Sequence, residues 1–541
     1  MNLPRTLLII VVATFVLRAA LLFTIIHTLG EEKTFTSDSY GFLLTAKNIV
    51  AGNGFSGSEA LPFQPSAHFP PIFPLLMAGS LKLSGSMLPL LILQIILSSL
   101  MPILVYAIAK FLAKSGGVPL LAAGLMAFEP MGAVWSILVL TETVAVFFLL
   151  LATYFFLKTL DPVRSQMPQA SAVPPSAEQT SNGVDDWGMR YAALAGIFLA
   201  LSTLTRPHAQ FLFILGFFFL LSILLLRWRR SKILPRYFAS PVMGGRAGSV
   251  PAEGGAARPT LSESAAGADE RAGEAKYRGS RILLAFTLAF FVVLSPWLIR
   301  NYYQFNTLNI ATTGLRNVYS SIGSSILSLN TGRPIGEVKN ELNRDFSARH
   351  GLEIRDIGEN PSIGTALAKE GLQTIITYPK ETAQVVLISM STFFAQDLYL
   401  TYLQHFHAVP RFQIDFSPSV TLFQEGPMKL AKLVWERIGW FAPIPVAGRA
   451  LWIVFNVLWV LGAAYAIKRG GQERKIALIM SAIIFTYALT STVAGFSDQG
   501  RFRYPVNAFI FILASYGFTP LFGNTLRSWR KISSALLCRE V

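Results

Sequence analysis

The sequence predicts an all-α polytopic membrane protein, and three observations carry that prediction. Of 541 residues, 52% are hydrophobic and only 14% are charged, against about 25% charged in soluble domains. The apolar residues gather in runs of about 20, the length that crosses a bilayer core as a helix. The basic residues behind the net charge of +16 lie between those runs, as in loops facing anionic lipid rather than a nucleic-acid surface. One cysteine, Cys538, allows neither a disulfide framework nor a cysteine metal site within the chain.

Taken in order, the spanning segments are 6–28, 87–112, 117–135, 138–158, 190–204, 207–227, 281–299, 447–467, 474–494 and 504–522. The first run, Leu7 to Leu29, exceeds a signal-peptide core and lacks a small-residue cleavage site, so it reads as a retained span. Two apolar stretches are ambiguous. Residues 71–84 are short and begin among Pro70, Pro71 and Pro74; residues 380–398 are long enough but sit between polar, irregular stretches. Charge decides between the alternatives. Lys110 and Lys114, "RWRRSK" at 227–232, "KYRGSR" at 276–281, "KRGGQERK" at 468–475 and "RSWRK" at 527–531 mark the inside. With the N-terminus inside and 30–86 outside, these marks stay inside only if 71–84 does not cross. That segment is therefore an interfacial amphipathic helix. By the same parity, 380–398 lies at the interface or pairs in a hairpin with part of 421–446. The count is about 10–12 crossings, with both termini inside.

The inserts 161–187, rich in Pro, Ser, Gln and Ala, and 228–280, largely Gly, Ala and Pro, read as cytoplasmic linkers. Three units follow: a module over 1–310 with its first outer loop at 30–86, an outer region over 311–446, and C-terminal spans with a short inside tail over 447–541. No internal repeat is evident.

Chemistry belongs to the outer side. In "TSDSYGFLLTAKNIVAGNGFSG", the apolar Tyr40, Leu43, Leu44 and Val50 follow Asp38 at near-helical spacing, with Ser37 as N-cap and Gly52 to Gly54 as stop. A carboxylate in a first helical turn is either a cap or a group held ready to accept a proton. Further charges sit where spans reach the outer face: Glu129 and Glu142, Arg206 in a tight turn, Arg300 ending the seventh span, and Arg501 and Arg503 before the last. Singly, each Arg could snorkel, and Trp297, Tyr302 and Tyr504 fit an ordinary aromatic belt. Collectively they describe a polar cavity, and Arg suits phosphate through its paired N–H donors. Arg18, within the first span, either lines the same cavity or pairs with a carboxylate, and the cost of snorkelling from mid-span favours a partner. His405 and His407 at i and i+2 lack a third ligand and read as an ordinary polar loop.

The order of "GNGF", a Pro-rich amphipathic stretch, "LTET", "LSTLTRPHA", "SPWLIRNYYQFNTLNIATTG" and "RFRYPV" resembles the GT-C membrane glycosyltransferases. It is most similar to the branch of dolichyl-phosphate-mannose protein mannosyltransferases and lipid A aminoarabinose transferases. The likeness runs over 1–310 and 447–522 and is loose over 310–446. It implies the GT-C fold and an inverting transfer of sugar from a polyprenyl-phosphate donor to a lipid, protein or glycan acceptor. The site would face the outside of a prokaryotic cytoplasmic membrane, with no cofactor, no metal and no nucleic-acid partner. Asp38 would be the general base. Arg206, Arg300, Arg501 and Arg503 would hold the donor phosphate, Arg300 and Arg503 foremost. Tyr40, His68, Glu142, Asn301 and Tyr504 would contact sugar or acceptor. The branch's acidic pair is absent, since Ser37 and Ser39 flank Asp38. No large domain follows the last span, which leaves the acceptor site to 300–446. The alternatives are a transporter or flippase for envelope glycan precursors, a related oligosaccharyltransferase or O-antigen ligase, and a non-catalytic scaffold.

Overall fold

A computed structural model describes residues 4–114, 117–160, 177–238, 261–351, 363–413, 417–496 and 498–537, with side chains undescribed over 177–186, 227–238, 261–278 and 521–537. Among these residues the chain is helical, apart from loops and one isolated antiparallel bridge between Ser56 and Pro65. Among the described residues, eight helices are long and apolar enough to cross a membrane, and nine if a bent pair counts as one span. The inserts 161–187 and 228–280 fall partly outside the description. So does Cys538.

Helix α1 (Arg5–Leu29) shows how the spans divide their surfaces. Its buried residues are Leu7, Thr14, Arg18, Leu22 and Ile25, one stripe at helical spacing. Leu8, Ile9, Val12, Phe15, Val16 and Phe23 are exposed on the rest, where lipid can cover them. The first outer loop follows, with α2 (Ser37–Val50) and α3 (Ile72–Ser84). At 13 residues α3 reaches only about 20 Å, so it cannot cross a core of about 30 Å. Phe42 of α2 packs on Phe69 and Phe73, with ring centroids 4.3 and 5.3 Å away.

Next come α4 (Leu88–Leu112), α5 (Gly117–Phe128), α6 (Pro130–Ile137) and α7 (Glu142–Leu160). The third span is broken between α5 and α6 by a 50° bend. The cause is local. Pro130 drives Glu129 out of the helical region, to φ −63° and ψ 119°. The Glu129 carboxylate then caps the new helix by accepting the N–H of Gly132.

Helices α8 (Ala177–Thr205), α9 (Gln210–Phe238) and α10 (Leu261–Phe305) complete the first module. On α8, Gly196 lets the backbone of α10 approach closely, since a Cβ there would meet Phe286 O and Phe290 N. The outer region holds short helices: α11 (Thr313–Arg316), α12 (Gly323–Thr331), α13 (Ile335–His350), α14 (Gly364–Thr377), α15 (Pro379–Ala395), α16 (Tyr399–His405), α17 (Pro418–Glu425) and α18 (Pro427–Ile438). Of these, α15 covers most of the ambiguous 380–398 stretch. It packs against the last three helices and also meets α17, where Thr392 Oγ1 donates to Ser419 Oγ at 2.8 Å.

The chain ends with α19 (Pro443–Arg469), α20 (Gly471–Ser491) and α21 (Gln499–Leu537). The described part of α21 lies at the centre of the bundle, with Tyr504 to Tyr516 almost wholly buried. Gly462 of α19 and Gly517 of α21 face each other without side chains, so the two backbones touch.

Candidate active site

Asp38 occupies the second position of α2, and its side chain is 49% exposed. It is not the cap, and neither is Ser37. Thr36 is the N-cap: its N–H donates to Ser39 Oγ at 2.9 Å, and the two hydroxyls lie 3.2 Å apart. The carboxylate of Asp38 is left for another partner, Arg501. Nη1 of Arg501 donates to Oδ2 of Asp38 at 2.5 Å, and its Nε donates to Oε1 of Glu142. Arg206 Nη1 lies 2.6 Å from that same Glu142 oxygen, a contact of charge rather than an aligned hydrogen bond. The four charges thus form one chain, Asp38–Arg501–Glu142–Arg206. Exposure falls along it from 49% at Asp38 to 19% at Arg501 and 0% at Glu142, with Arg206 at 11%.

Local structure fixes this chain from four directions. The turn at 138–141 joins α6 to α7 and serves as a common frame. Ser39 Oγ donates to Val139 O at 2.8 Å, Val139 N–H donates to Thr34 O at 2.8 Å, and Gln94 Nε2 donates to Leu138 O at 2.7 Å. Asp38 and Glu142 are therefore anchored to one short segment. Arg206 enters from the turn between α8 and α9, extended ahead of Pro207, with its guanidinium 5.5 Å from the centre of the Phe502 ring. Arg501 opens α21, whose start is held by Gly500 N–H donating to Gln396 Oε1 at 2.8 Å.

Sequence reasoning missed two neighbours. Tyr402 of α16 stands within electrostatic range of Asp38, Glu142, Arg501 and Asp498. Burial raises its phenol pKa despite the opposing pull of Arg501, so it is a neutral hydrogen-bonding group. Asp498 is surface-exposed but crowded by protein. That loss of solvent raises its pKa, Arg501 opposes the rise and Asp38 adds to it. Asp498 was visible beside "GRFRYPV"; nothing in the sequence pointed to Tyr402.

The four arginines divide into two pairs. Arg206 and Arg501 belong to the Asp38 chain. Arg300 instead donates to Ser66 O and Asn301 Oδ1, both at 2.8 Å, and to Phe55 O at 3.3 Å. Its guanidinium lies 4.8 Å from the centre of the Trp297 ring. Asn301 in turn donates to Asn309 O at 2.7 Å. His68 meets the same seam: Thr313 Oγ1 donates to its carbonyl at 2.5 Å, and Thr312 Oγ1 is 3.4 Å from its Nδ1. Arg300, Asn301 and His68 thus tie the first outer loop to residues 309–313.

Arg503 donates to Phe393 O, Phe394 O and Gln396 O at 2.8, 2.9 and 2.6 Å, closing the C-terminal end of α15. It also stacks 3.5 Å above the centre of the Trp452 ring. Tyr504 is buried near Trp135, at 6.2 Å between ring centroids. Tyr40 is 56% exposed and stacks on Phe35. Arg18 donates to Ala127 O at 3.1 Å, beside the break in the third span, within electrostatic range of Glu129. Among the described residues, no three His, Cys, Asp or Glu side chains are grouped to hold a metal ion.

Residues 68–169 match the family described as dolichyl-phosphate-mannose-protein mannosyltransferase. That segment runs from His68 through α7 and includes Glu129 and Glu142, but not Asp38 or the arginines. Comparison with curated proteins finds no match. Among solved structures, similarity is found to the archaeal oligosaccharyltransferase AglB from Archaeoglobus fulgidus in complex with an inhibitory peptide and a dolichol-phosphate. Identity is 15% and the TM-score 0.47, over 97% of this chain and 52% of that one. The apo form of the Archaeoglobus fulgidus oligosaccharyltransferase gives 14% identity and a TM-score of 0.43, over the same shares. The chain spans about half the length of these proteins. With the mannosyltransferase-family segment in place inside an all-helical, multi-pass chain, this protein resembles the GT-C membrane glycosyltransferases of the protein-mannosyltransferase branch.

Proposed function

We propose that the chain is an inverting glycosyltransferase that takes a sugar from a polyprenyl-phosphate donor and passes it to an acceptor on the outer face of the cytoplasmic membrane. One observation carries the reading: the half-exposed Asp38 carboxylate ends a charge chain whose other members are mostly buried. A structural ion-pair network needs no open end. A transfer site needs one group that reaches the substrate and a protected set that holds charge.

The chemistry follows from that arrangement. Asp38 takes the proton of the acceptor nucleophile as it attacks C1 of the sugar. The bond from C1 to the lipid-phosphate oxygen breaks, and the anomeric centre inverts. Negative charge grows on the departing phosphate, where Arg501 and Arg206 are the cations at hand. Asp38, Glu142, Arg206 and Arg501 sum to zero charge when both carboxylates are ionised. Protonating Asp38 leaves them at +1 and releases Arg501 from one ion pair just as the phosphate becomes more negative. The stabilisation is thereby greater in the transition state than in the ground state, which is what accelerates a reaction. Arg300 and Arg503, whose donors are held by carbonyls, shape the walls of the site in this reading. Ten crossings, counting the bent third span and α21, would keep both ends of the chain on one side, and the basic segments between spans support reading that side as inside and Asp38 as outside.

The test is transfer by the purified chain in liposomes, using polyprenyl-phosphate mannose and polyprenyl-phosphate pentoses labelled in the sugar. Product with the opposite anomeric configuration is the expected result. Retained configuration, or movement of the intact lipid-linked sugar across the bilayer without bond cleavage, would replace this reading with a double-displacement enzyme or a flippase.

A further inference from the structure

A second feature lies on the same face and is not used by the transfer chemistry. The turn Glu31–Thr34, just ahead of α2, and the segment after α16 together enclose an open concavity of about 700 Å3, lined by Lys33, His407, Ala408, Val409, Pro410 and Arg411. Among the described residues its charged lining is basic. Glu31 is turned elsewhere, accepting Met87 N–H at 2.8 Å, and the carboxylate of Glu32 lies against Gly30. Lys33 Nζ donates to His407 Nε2 at 3.0 Å, so that ring carries its proton on Nδ1. His405 Nε2 donates to Lys33 O at 2.8 Å, which fixes the turn against α16. His407 holds a left-handed backbone, with φ at 56°, a conformation that costs free energy in any residue but glycine.

The concavity adjoins the transfer site. Helix α16 carries Tyr402 at the Asp38–Arg501 pair and His405 at Lys33, three residues apart and so about 4.5 Å along the helix axis. On the other side, Lys33 and Asp38 are separated by a few residues of one chain.

We propose that this concavity binds a phosphate group of a substrate, distinct from the phosphate that leaves at Arg206 and Arg501. Lys33 has N–H donors beyond the one given to His407. Arg411 brings a planar fork that matches paired phosphate oxygens, and His407 adds a donor through Nδ1. A carboxylate would engage one such cation well; two cations and a neutral ring N–H around a space of this size match the larger, more highly charged phosphate. The inference rests on the transfer reading for its meaning, but its test does not.

The chain has six histidines, few enough to follow by NMR after labelling with [13C]histidine in nanodiscs of neutral phosphatidylcholine. A His407→Gln variant identifies the signal. Inorganic phosphate is expected to move it, where sodium chloride of equal ionic strength does not. In the Lys33→Gln/Arg411→Gln double variant, binding weakens by about tenfold or more, the loss of charge-assisted hydrogen bonds. The Lys33→Arg/Arg411→Lys variant, which keeps both charges, should bind and reports that the fold is intact. A parallel arm replaces part of the lipid with phosphatidic acid. A response to inorganic phosphate assigns the site to a soluble or glycan phosphate; a response to phosphatidic acid alone assigns it to a lipid headgroup. No movement beyond that caused by chloride in either arm, or undiminished binding in the double Gln variant, overturns the proposal. Asp38→Asn should bind phosphate as wild type does. If the wild-type chain transfers no sugar, the transfer reading fails while the phosphate site stands; if Asp38→Asn transfers normally, only the assignment of Asp38 as base fails.

Discussion

Replacing Asp38 by Asn removes a proton acceptor and little else. The helix cap made by Thr36 and Ser39 does not involve the Asp38 side chain. Its ion pair with Arg501 is half-exposed on the Asp38 side, so solvent screening limits that pair to about 0–1 kcal/mol of stability. A loss of that size moves the Tm of a chain this large by no more than about 4 °C. Catalysis is another matter. A positioned general base contributes about 10²–10⁴ in rate, which is about 2.7–5.5 kcal/mol at about 1.36 kcal/mol per tenfold. The expected result is a kcat lowered by about 10²–10⁴ with the fold intact. KM for the lipid donor should hold or fall, because Arg501 loses a competitor for the phosphate. The assay is release of radiolabelled sugar to acceptor in liposomes under single-turnover conditions, paired with a dye-based Tm on the same preparation. A wild-type rate in Asp38→Asn would sink the assignment of Asp38 as base. A rate that falls only as far as the folded fraction does would sink it as well.

Three further outcomes are expected. Glu142→Gln leaves Arg206 and Arg501 facing each other without their shared, fully buried carboxylate; breaking a buried pair costs about 3–5 kcal/mol, so its Tm should fall well below that of Asp38→Asn, and equal Tm values would contradict the network. Gly462→Val puts a Cβ into Leu513 O and the backbone at Gly517; it should separate α19 from α21, and an unchanged Tm would show that the close approach is not there. Asp397 has its pKa raised above 3.8, first by burial, with Arg449 and Arg503 opposing. The folded chain then holds a proton that the unfolded chain releases, so this group's stabilisation is lost as pH rises above about 3.8. Wild-type Tm should fall relative to Asp397→Asn as pH rises through that window, and parallel curves would remove Asp397 as the cause.

What the sequence made legible, and what it did not, divides along the range of the forces involved. Spans are legible because a run such as Leu7 to Leu29 is set by residues that are neighbours in the chain, and hydrophobicity is a property of the run. The reading of 71–84 as an interfacial helix came instead from charge parity along the chain, and the 13 residues of α3 agree with it. The gathering of charges at span ends was legible too, since a span end is a place in the sequence. Their pairing was not. Asp38 and Arg501 are 463 positions apart, and Glu142 and Arg501 are 359 apart; no periodicity reports which of four arginines meets which carboxylate. Arg503 and Arg501 stand two residues apart on one helix and point to different work, one closing a helix end and the other bridging two acids. A helix turns about 100° per residue, so two residues separate directions by about 200°, and the bundle around α21 decides which direction meets Asp38. The same limit explains Tyr402, an ordinary aromatic in a loose outer region until α16 is laid beside α21. Two nearby arginines suit anions in general. Only the rotation of the helix that carries them decides which one meets the carboxylates and which one the carbonyls.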